Sequence, residues 1–270
     1  MYYVRMVYDI PKIIFQTWKT KDVPEQWKEG QRSVRDMNPD FRYVLLTNVE
    51  NRNIIERYFP WYLSTYDAFK FGIRRTDAIR YAVMYLWGGI YLDLDYVALR
   101  PFRELTLNRP IGLVNTHNFA RTTTNSFLVS VPRQRFWIEC LLETMKPAPW
   151  YLRPFKSLRV LETTGPNMLH RVQQRHCKTI QKLDRVTLPC DVCALYYGSD
   201  GSCTAYLPDG QKKTGYFLMP LEGASWILSD MRLANFAWCH RIALSTCLAI
   251  VGTFVLLRTM GVPRPLAAKA

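Results

Sequence analysis

At 270 residues, 49% of them hydrophobic, the chain is long enough for one large domain with a sizeable core, and its 14% aromatic content excludes a disordered polymer. Thirty-six Lys and Arg against 22 Asp and Glu give a net charge of +14, which favours anionic partners such as a nucleotide diphosphate, an acidic lipid surface or nucleic acid. The cations are spread out, with no run of five or six, and this argues against a basic nucleic-acid arm.

In chain order, Met1 to Asp9 lack the apolar core of a signal peptide. Lys12 to Trp18 reads as an early buried strand, followed by a polar loop from Lys19 to Pro24. A helix is predicted over Gln26 to Met37, closed by the turn Asn38-Pro39-Asp40. Phe41 to Leu46 alternates and is β-rich, which predicts a second strand. A helix over Val49 to Tyr58 then stops at Pro60. This βαβα rhythm predicts a parallel sheet with helices on its faces.

The next segment is the most informative. Thr76 is placed to cap a helix from Asp77 to Trp87, with Asp77 in the first turn where the helix dipole favours a carboxylate. Gly88-Gly89 ends that helix. Ile90 to Leu99 follows as a strand that Pro101 stops. Beyond it the pattern is irregular: Pro147 to Pro154 reads as a loop, Thr163-Thr164-Gly165-Pro166 as a tight turn, and Phe217 to Pro220 as a last short strand.

Two other features stand apart. Cys190-Asp-Val-Cys193 has metal-ligand spacing, with His176, Cys177 and Cys203 nearby. No second such pair completes a four-ligand set, so buried thiols are expected rather than zinc. Ile242 to Leu257 is a 16-residue stretch without a charge, bracketed by Arg241 and Arg258. As a helix it would span about 24 Å, short of a hydrocarbon core of about 30 Å. Arginine stems at both ends can lie along apolar surface while their heads reach the interface, and Trp238 is placed as an interfacial anchor. The expectation is a catalytic domain over 1–230, a membrane-associated segment over 231–257 and a basic tail over 258–270.

In Ile90-Tyr91-Leu92-Asp93-Leu94-Asp95 the strand period puts Tyr91, Asp93 and Asp95 on one face and the apolar residues on the other. Two carboxylates then meet at the strand's carboxyl end, where open α/β sheets hold their ligands. They repel unless a cation sits with them. Oxygen ligands suit Mn²⁺ or Mg²⁺, whose other positions take diphosphate oxygens and water. A competing reading is a haloacid-dehalogenase-like phosphatase, in which Asp93 would be the nucleophile and Asp95 the acid/base. That chemistry needs a downstream acidic motif, and the later Asp residues form none.

The chain resembles glycosyltransferase family thirty-two, the family with the sugar-transferase DxD motif, and is most similar to its inositol phosphorylceramide mannosyltransferase branch. The matching stretches are Ile10 to Trp18, Asn38 to Phe41, Arg74 to Tyr81 and, most specific, Tyr85-Leu-Trp-Gly-Gly-Ile-Tyr-Leu-Asp-Leu-Asp95. Weaker ones are Asn125 to Pro132, Thr164-Gly-Pro166 and Gly223-Ala-Ser-Trp226 with Asp230.

The resemblance implies a GT-A fold, a Rossmann-like α/β sheet binding a nucleotide sugar. It implies that Thr17 and Trp18 help bind the donor, Trp18 by stacking on the base. Asp77 and Arg80 would hold sugar hydroxyls or phosphate, and Asn125 would join them. Tyr91 and Asp93 would contact ribose and sugar, and Asp95, with Asp93, would hold the metal. Ser225 and Trp226 would close over the diphosphate. Asp77, Arg80, Asp93 and Asp95 are thus the catalytic set. The family usually has His where this chain has Phe15 and Ile227, and the second departure leaves one position near the metal unassigned, with weaker metal binding or an inactive membrane-bound relative as the alternative reading.

The implied reaction is retaining transfer of a hexose, mannose from GDP-mannose or a UDP-hexose, to a lipid head group such as inositol phosphorylceramide or to a glycan. The implied place is a Golgi-like endomembrane. Charges flank the apolar segment on both sides (Arg232 and Arg241 before it; Arg258, Arg264 and Lys269 after it), so they do not fix an orientation.

Overall fold

A computed structural model of the protein describes residues 7–115, 123–184, 186–187, 215–221, 223 and five positions between 236 and 245. Strand β1 (Ile13–Thr17) leads through helix α1 (Glu25–Met37) to β2 (Arg42–Leu46), which pairs with β1 in parallel. Helix α2 (Asn48–Tyr58) opens on a capping box: Glu50 N–H donates to the Thr47 hydroxyl at 3.3 Å, and Thr47 N–H to the Glu50 carboxylate at 2.7 Å. The short α3 (Leu63–Asp67) and the long α4 (Gly72–Leu86) follow, and then β3 (Gly89–Leu92) runs parallel to β1.

Beyond it come β4 (Tyr96–Ala98), β5 (Ile111–Asn115) and β6 (Thr123–Ser130). Helices α5 (Arg135–Thr144), α6 (Lys156–Thr163) and α7 (Pro166–Arg175) precede β7 (Ile180–Lys182) and β8 (Leu218–Pro220).

The main sheet has the order β2-β1-β3-β6-β5-β7, and β4 pairs with β8 in a separate small sheet. The all-parallel expectation holds for β2-β1-β3 and for β5-β7, but β6 runs antiparallel to both β3 and β5. The reason lies in the length of the connection: about seven residues separate the end of β5 from the start of β6, too few for the crossover of a dozen or more that a parallel pair needs.

Side chains alternate between two cores across this sheet. Phe15, Tyr91 and Leu128 pack toward α4, α5 and α7, against Ala78, Ala82, Trp137, Leu141 and Leu169. Ile14, Ile90, Leu92 and Val129 pack on the opposite face, against Val34 of α1 and Phe102 and Leu107. Trp137 is fully buried, and its indole N–H donates to the Ser130 hydroxyl at 2.9 Å. Truncation of such a residue to Ala costs about 3–5 kcal/mol.

Two boundaries differ from expectation, and both shape the site. Helix α4 starts at Gly72, because Phe71 is still extended (φ −106°, ψ 127°), so Thr76 is not its cap and Asp77 lies beyond the first turn. The charged run Arg74-Arg75 hides this start in the sequence. In the fold the Arg74 guanidinium lies 4.2 Å from the Phe69 ring centroid, which accounts for a cation in that turn.

The strand expected over Ile90 to Leu99 is also broken. β3 ends at Leu92, β4 begins at Tyr96, and Asp93 to Asp95 form the bend between the two sheets. Gly30 of α1 makes the bend possible, since a Cβ there would lie 2.5 Å from the Tyr96 carbonyl and 3.0 Å from that of Leu94.

Gly88 and Gly89 take the chain from α4 into β3 at φ +64° and +82°, a left-handed region that suits glycine. A Cβ on Gly89 would sit 2.5 Å from the Ile13 carbonyl, so the pair also lets β3 lie close to β1.

The segment Ile242 to Leu257 lies outside the described residues apart from Ser245, and among the described residues no helix is long and apolar enough to cross a membrane. Cys190, Cys193 and Cys203 also lie outside them. Cys140 is buried, Cys177 is exposed, and His176 Nε2 is paired with Glu139 at 2.8 Å. No group of three metal-ligating side chains occurs among the described residues.

Candidate active site

The bend at Asp93 to Asp95 opens into a cleft of about 450 Å³. Its walls come from the ends of β1 and β3, from α4 and the residues just before it, and from α6, including Trp18, Lys70, Thr76, Arg80 and Lys156. Asp93 and Asp95 are its carboxylates, and Lys19, Lys70, Lys156 and Arg80 its cations, so the cleft suits an anionic ligand held beside a metal.

Asp93 is tied down on both oxygens. The Tyr91 hydroxyl donates to Oδ1 at 2.8 Å and Arg80 Nη1 to Oδ2 at 3.1 Å. Its backbone N–H donates to the Ser126 carbonyl at 2.9 Å, and the Gln16 amide donates to its carbonyl at 3.1 Å. Tyr91 and Asp93 therefore do share the α4 face, as the strand period implied, even though the ladder stops one residue earlier.

Asp95 is different. Its Oδ1 is buried with no hydrogen-bond partner among the described residues. Burial, and after it the Asp93 charge, push its carboxyl up to about 7. An orphaned carboxylate oxygen beside a second carboxylate, in a cleft whose other charged residues are cations, fits a divalent cation.

Behind these groups lies a buried network. Asp77 is 2% exposed; Asn125 Nδ2 donates to its Oδ1 at 2.9 Å and the Thr164 hydroxyl to its Oδ2 at 2.7 Å. Arg80 donates to the Asn125 carbonyl at 2.8 Å and approaches Asp77 to 3.5 Å. Burial, only partly offset by Arg80, raises the Asp77 carboxyl to about 6. Burial also works against the Arg80 cation, but nearby negative charge, Asp93 foremost, outweighs it and holds the guanidinium protonated.

The structure thus brings Asp77, Arg80, Tyr91, Asp93, Asp95 and Asn125 together, but in two layers. Arg80, Asp93 and Asp95 line the cleft, while Asp77, Asn125 and Tyr91 stand behind them with their polar atoms engaged. Thr17 and Trp18 sit at the other end of the cleft. The Thr17 hydroxyl donates to the Leu46 carbonyl at 3.0 Å and accepts from Asn51 Nδ2 at 2.8 Å. Trp18 stands edge-on to Trp27 at 4.9 Å between ring centroids, with Lys19 Nζ 5.4 Å from its own ring.

Ser225 and Trp226 lie outside the described residues, but the start of their motif does not. Leu221 N–H donates to the Asp95 carbonyl at 2.8 Å, and a Cβ built on Gly223 would fall 1.9 Å from Asp95 Oδ2. Gly223 and Thr164 are the contributors that sequence reasoning left without a role. Both lay in motifs already noticed, and only the fold shows what they touch.

Residues 24–112 match the family described as the glycosyltransferase sugar-binding region containing a DXD motif. This is a DXD glycosyltransferase region. The match spans α1 to β5 and includes Arg80, Asp93 and Asp95, which sets the phosphatase reading aside.

The DXD chain is 31% identical over 248 residues to mannosyl phosphorylinositol ceramide synthase SUR1 of Saccharomyces cerevisiae, covering 92% of this chain and 59% of that protein. It is 39% identical over 157 residues to inositol phosphoceramide mannosyltransferase 2 of Schizosaccharomyces pombe, covering 58% and 44%. The chain thus spans about half the length of these curated relatives. The solved PaToxG glycosyltransferase superposes with a TM-score of 0.52 over 64% of this chain and 72% of that one, at 19% identity. The DXD region accordingly sits in a GT-A-like α/β fold.

Proposed function

We propose that this chain is a metal-dependent, retaining mannosyltransferase that uses GDP-mannose and an inositol phosphorylceramide-type head group. The observation that carries the reading is the orphaned Asp95 oxygen beside an Asp93 locked by Arg80 and Tyr91, inside the DXD region. The relatives' names support the sugar and the lipid.

Asp95, with Asp93, would hold Mn²⁺ or Mg²⁺, which when bound supplies Lewis-acid stabilisation of the departing diphosphate. Arg80 brings a fixed cation to the same end of the cleft, and its hydrogen bond to Oδ2, with that of Tyr91 to Oδ1, keeps Asp93 in one orientation. Asp77 and Asn125 hold Arg80 in register beside Asp93, behind the wall of the cleft that meets the donor sugar. Trp18 offers an indole face for the base, Thr17 fixes the strand end that carries it, and Ser225 and Trp226 close on the diphosphate. The acceptor hydroxyl attacks the face that the diphosphate leaves.

Ile242 to Leu257 is assigned as the anchor to a Golgi-like endomembrane. The deciding experiment measures nucleotide release from GDP- and UDP-sugars with Mn²⁺ or with EDTA, followed by transfer to inositol phosphorylceramide. Release from GDP-mannose that EDTA abolishes is expected, and metal-independent release removes the reading.

A further inference from the structure

The connection from α5 to α6 combines exposed aromatics with cations in a fixed shape. From Met145 to Lys156 it contains three prolines and no acidic residue, with Lys146, Arg153 and Lys156 as its cations. Trp150 is 76% exposed, Tyr151 57% and Phe155 44%. Leu152 points inward instead and is 8% exposed. A turn closed by Leu152 N–H to the Pro149 carbonyl at 3.0 Å, and by Phe155 N–H to the Leu152 carbonyl at 3.1 Å, sets this division. Leu152 is thus a peg, and the three aromatics are presented outward.

Lys146 is held by Glu143 at 2.9 Å, but Arg153 and Lys156 have no acidic partner among the described residues. Lys156 also lines the cleft, beside Lys70 and Phe71. The aromatic turn therefore stands at the mouth of the site.

We propose that this turn is an interfacial membrane contact, seated on an anionic bilayer with the cleft mouth facing the lipid head groups. The chemistry selects this occupant. Trp and Tyr have an apolar body and a polar tip and rest at head-group depth. Unpaired Lys and Arg beside them add attraction to anionic lipid. A rigid turn loses little conformational freedom when it docks. The inference goes beyond the proposed chemistry and does not depend on it, nor on the segment at Ile242 to Leu257.

The test is hydroxyl-radical footprinting of the full chain, with and without vesicles of equal parts phosphatidylcholine and phosphatidylserine. Trp150, Tyr151 and Phe155 should lose most of their reactivity when vesicles are added. Met37, at the end of α1 on the opposite face of the sheet, should keep its own. Arg153→Gln should raise the vesicle concentration for half-protection about fivefold, the effect of one cation near an anionic surface. The triple change Trp150→Ser, Tyr151→Ser, Phe155→Ser, monitored at Met145, should abolish protection while leaving the unfolding temperature unchanged, since all three side chains are exposed. Three results overturn the proposal: no protection by vesicles, equal protection by pure phosphatidylcholine, or protection already complete without vesicles. The last would assign the surface to another part of this chain or to a second copy.

Discussion

Arg80 Nη1 donates both to Asp93 Oδ2, at 3.1 Å, and to the Asn125 carbonyl, at 2.8 Å, from a side chain only 5% exposed. One guanidinium therefore joins the carboxylate of the bend to the start of β6. Its delocalised fork matches this geometry in a way a point-charge ammonium does not. Arg80→Ala should destabilise the fold by about 3–5 kcal/mol, because it leaves Asp77 as a buried charge without its cation and takes the same partner from the half-buried Asp93. Arg80→Lys should fold but lose about a hundredfold in rate, near 3 kcal/mol at about 1.4 kcal/mol per decade. Chemical unfolding and initial rates of nucleotide release check the two claims.

Asp95→Asn separates the metal site from the fold. The wild-type Oδ1 has no partner to lose, so the unfolding temperature without metal should not fall. A Mn²⁺-dependent thermal shift with GDP should vanish, and turnover should drop about a thousandfold or more, several kcal/mol of lost charge stabilisation. Calorimetry and rate measurement read these separately. A variant that retains a tenth of the activity removes Asp95 from the metal site.

Gly223→Ala probes the same carboxylate from the other side. A Cβ would intrude to 1.9 Å from Asp95 Oδ2, so Asp95 must turn or the chain after β8 must lift away. The expected result is a Mn²⁺ affinity weakened tenfold or more, with the core packing of the main sheet intact. Metal titration with near-ultraviolet circular dichroism distinguishes a lost ligand from a lost fold.

Asp77 makes stability depend on pH in a defined direction. Its carboxyl titrates at about 6 in the folded chain against an ordinary value of 3.8, so between these values the folded state binds more protons. Its contribution is therefore greatest below pH 4 and is lost as pH rises through 6, a change of about 3 kcal/mol. Asp77→Asn should remove that slope from urea denaturation curves taken between pH 4 and 7 and raise stability relative to wild type at pH 7. It should also lower turnover, because the carboxylate that orders Arg80 is gone.

Much of the donor half was legible in the sequence because its signals are local. The strand at Ile13–Thr17, the helix at Glu25–Met37, the strand at Arg42–Leu46 and the helix at Asn48–Tyr58 follow periodicities and stop signals within a few residues. The double glycine and the period-two spacing of Tyr91 and Asp93 located the site in the same way.

Tertiary structure decided what depends on partners far along the chain. Nothing within Ile90 to Leu99 signals that β3 pairs with β1 and β6 whereas β4 pairs with β8, and that change of sheet is what turns a predicted strand into the bend at the carboxylates. The direction of β6 was hidden likewise, because it is set by the shortness of the chain between β5 and β6 and not by composition. Thr164 reaches Asp77 across 87 positions, and Gly223 meets Asp95 from beyond β8. Periodicity encodes which face a side chain occupies, but which distant group meets it there is fixed only when the two cores close around the sheet.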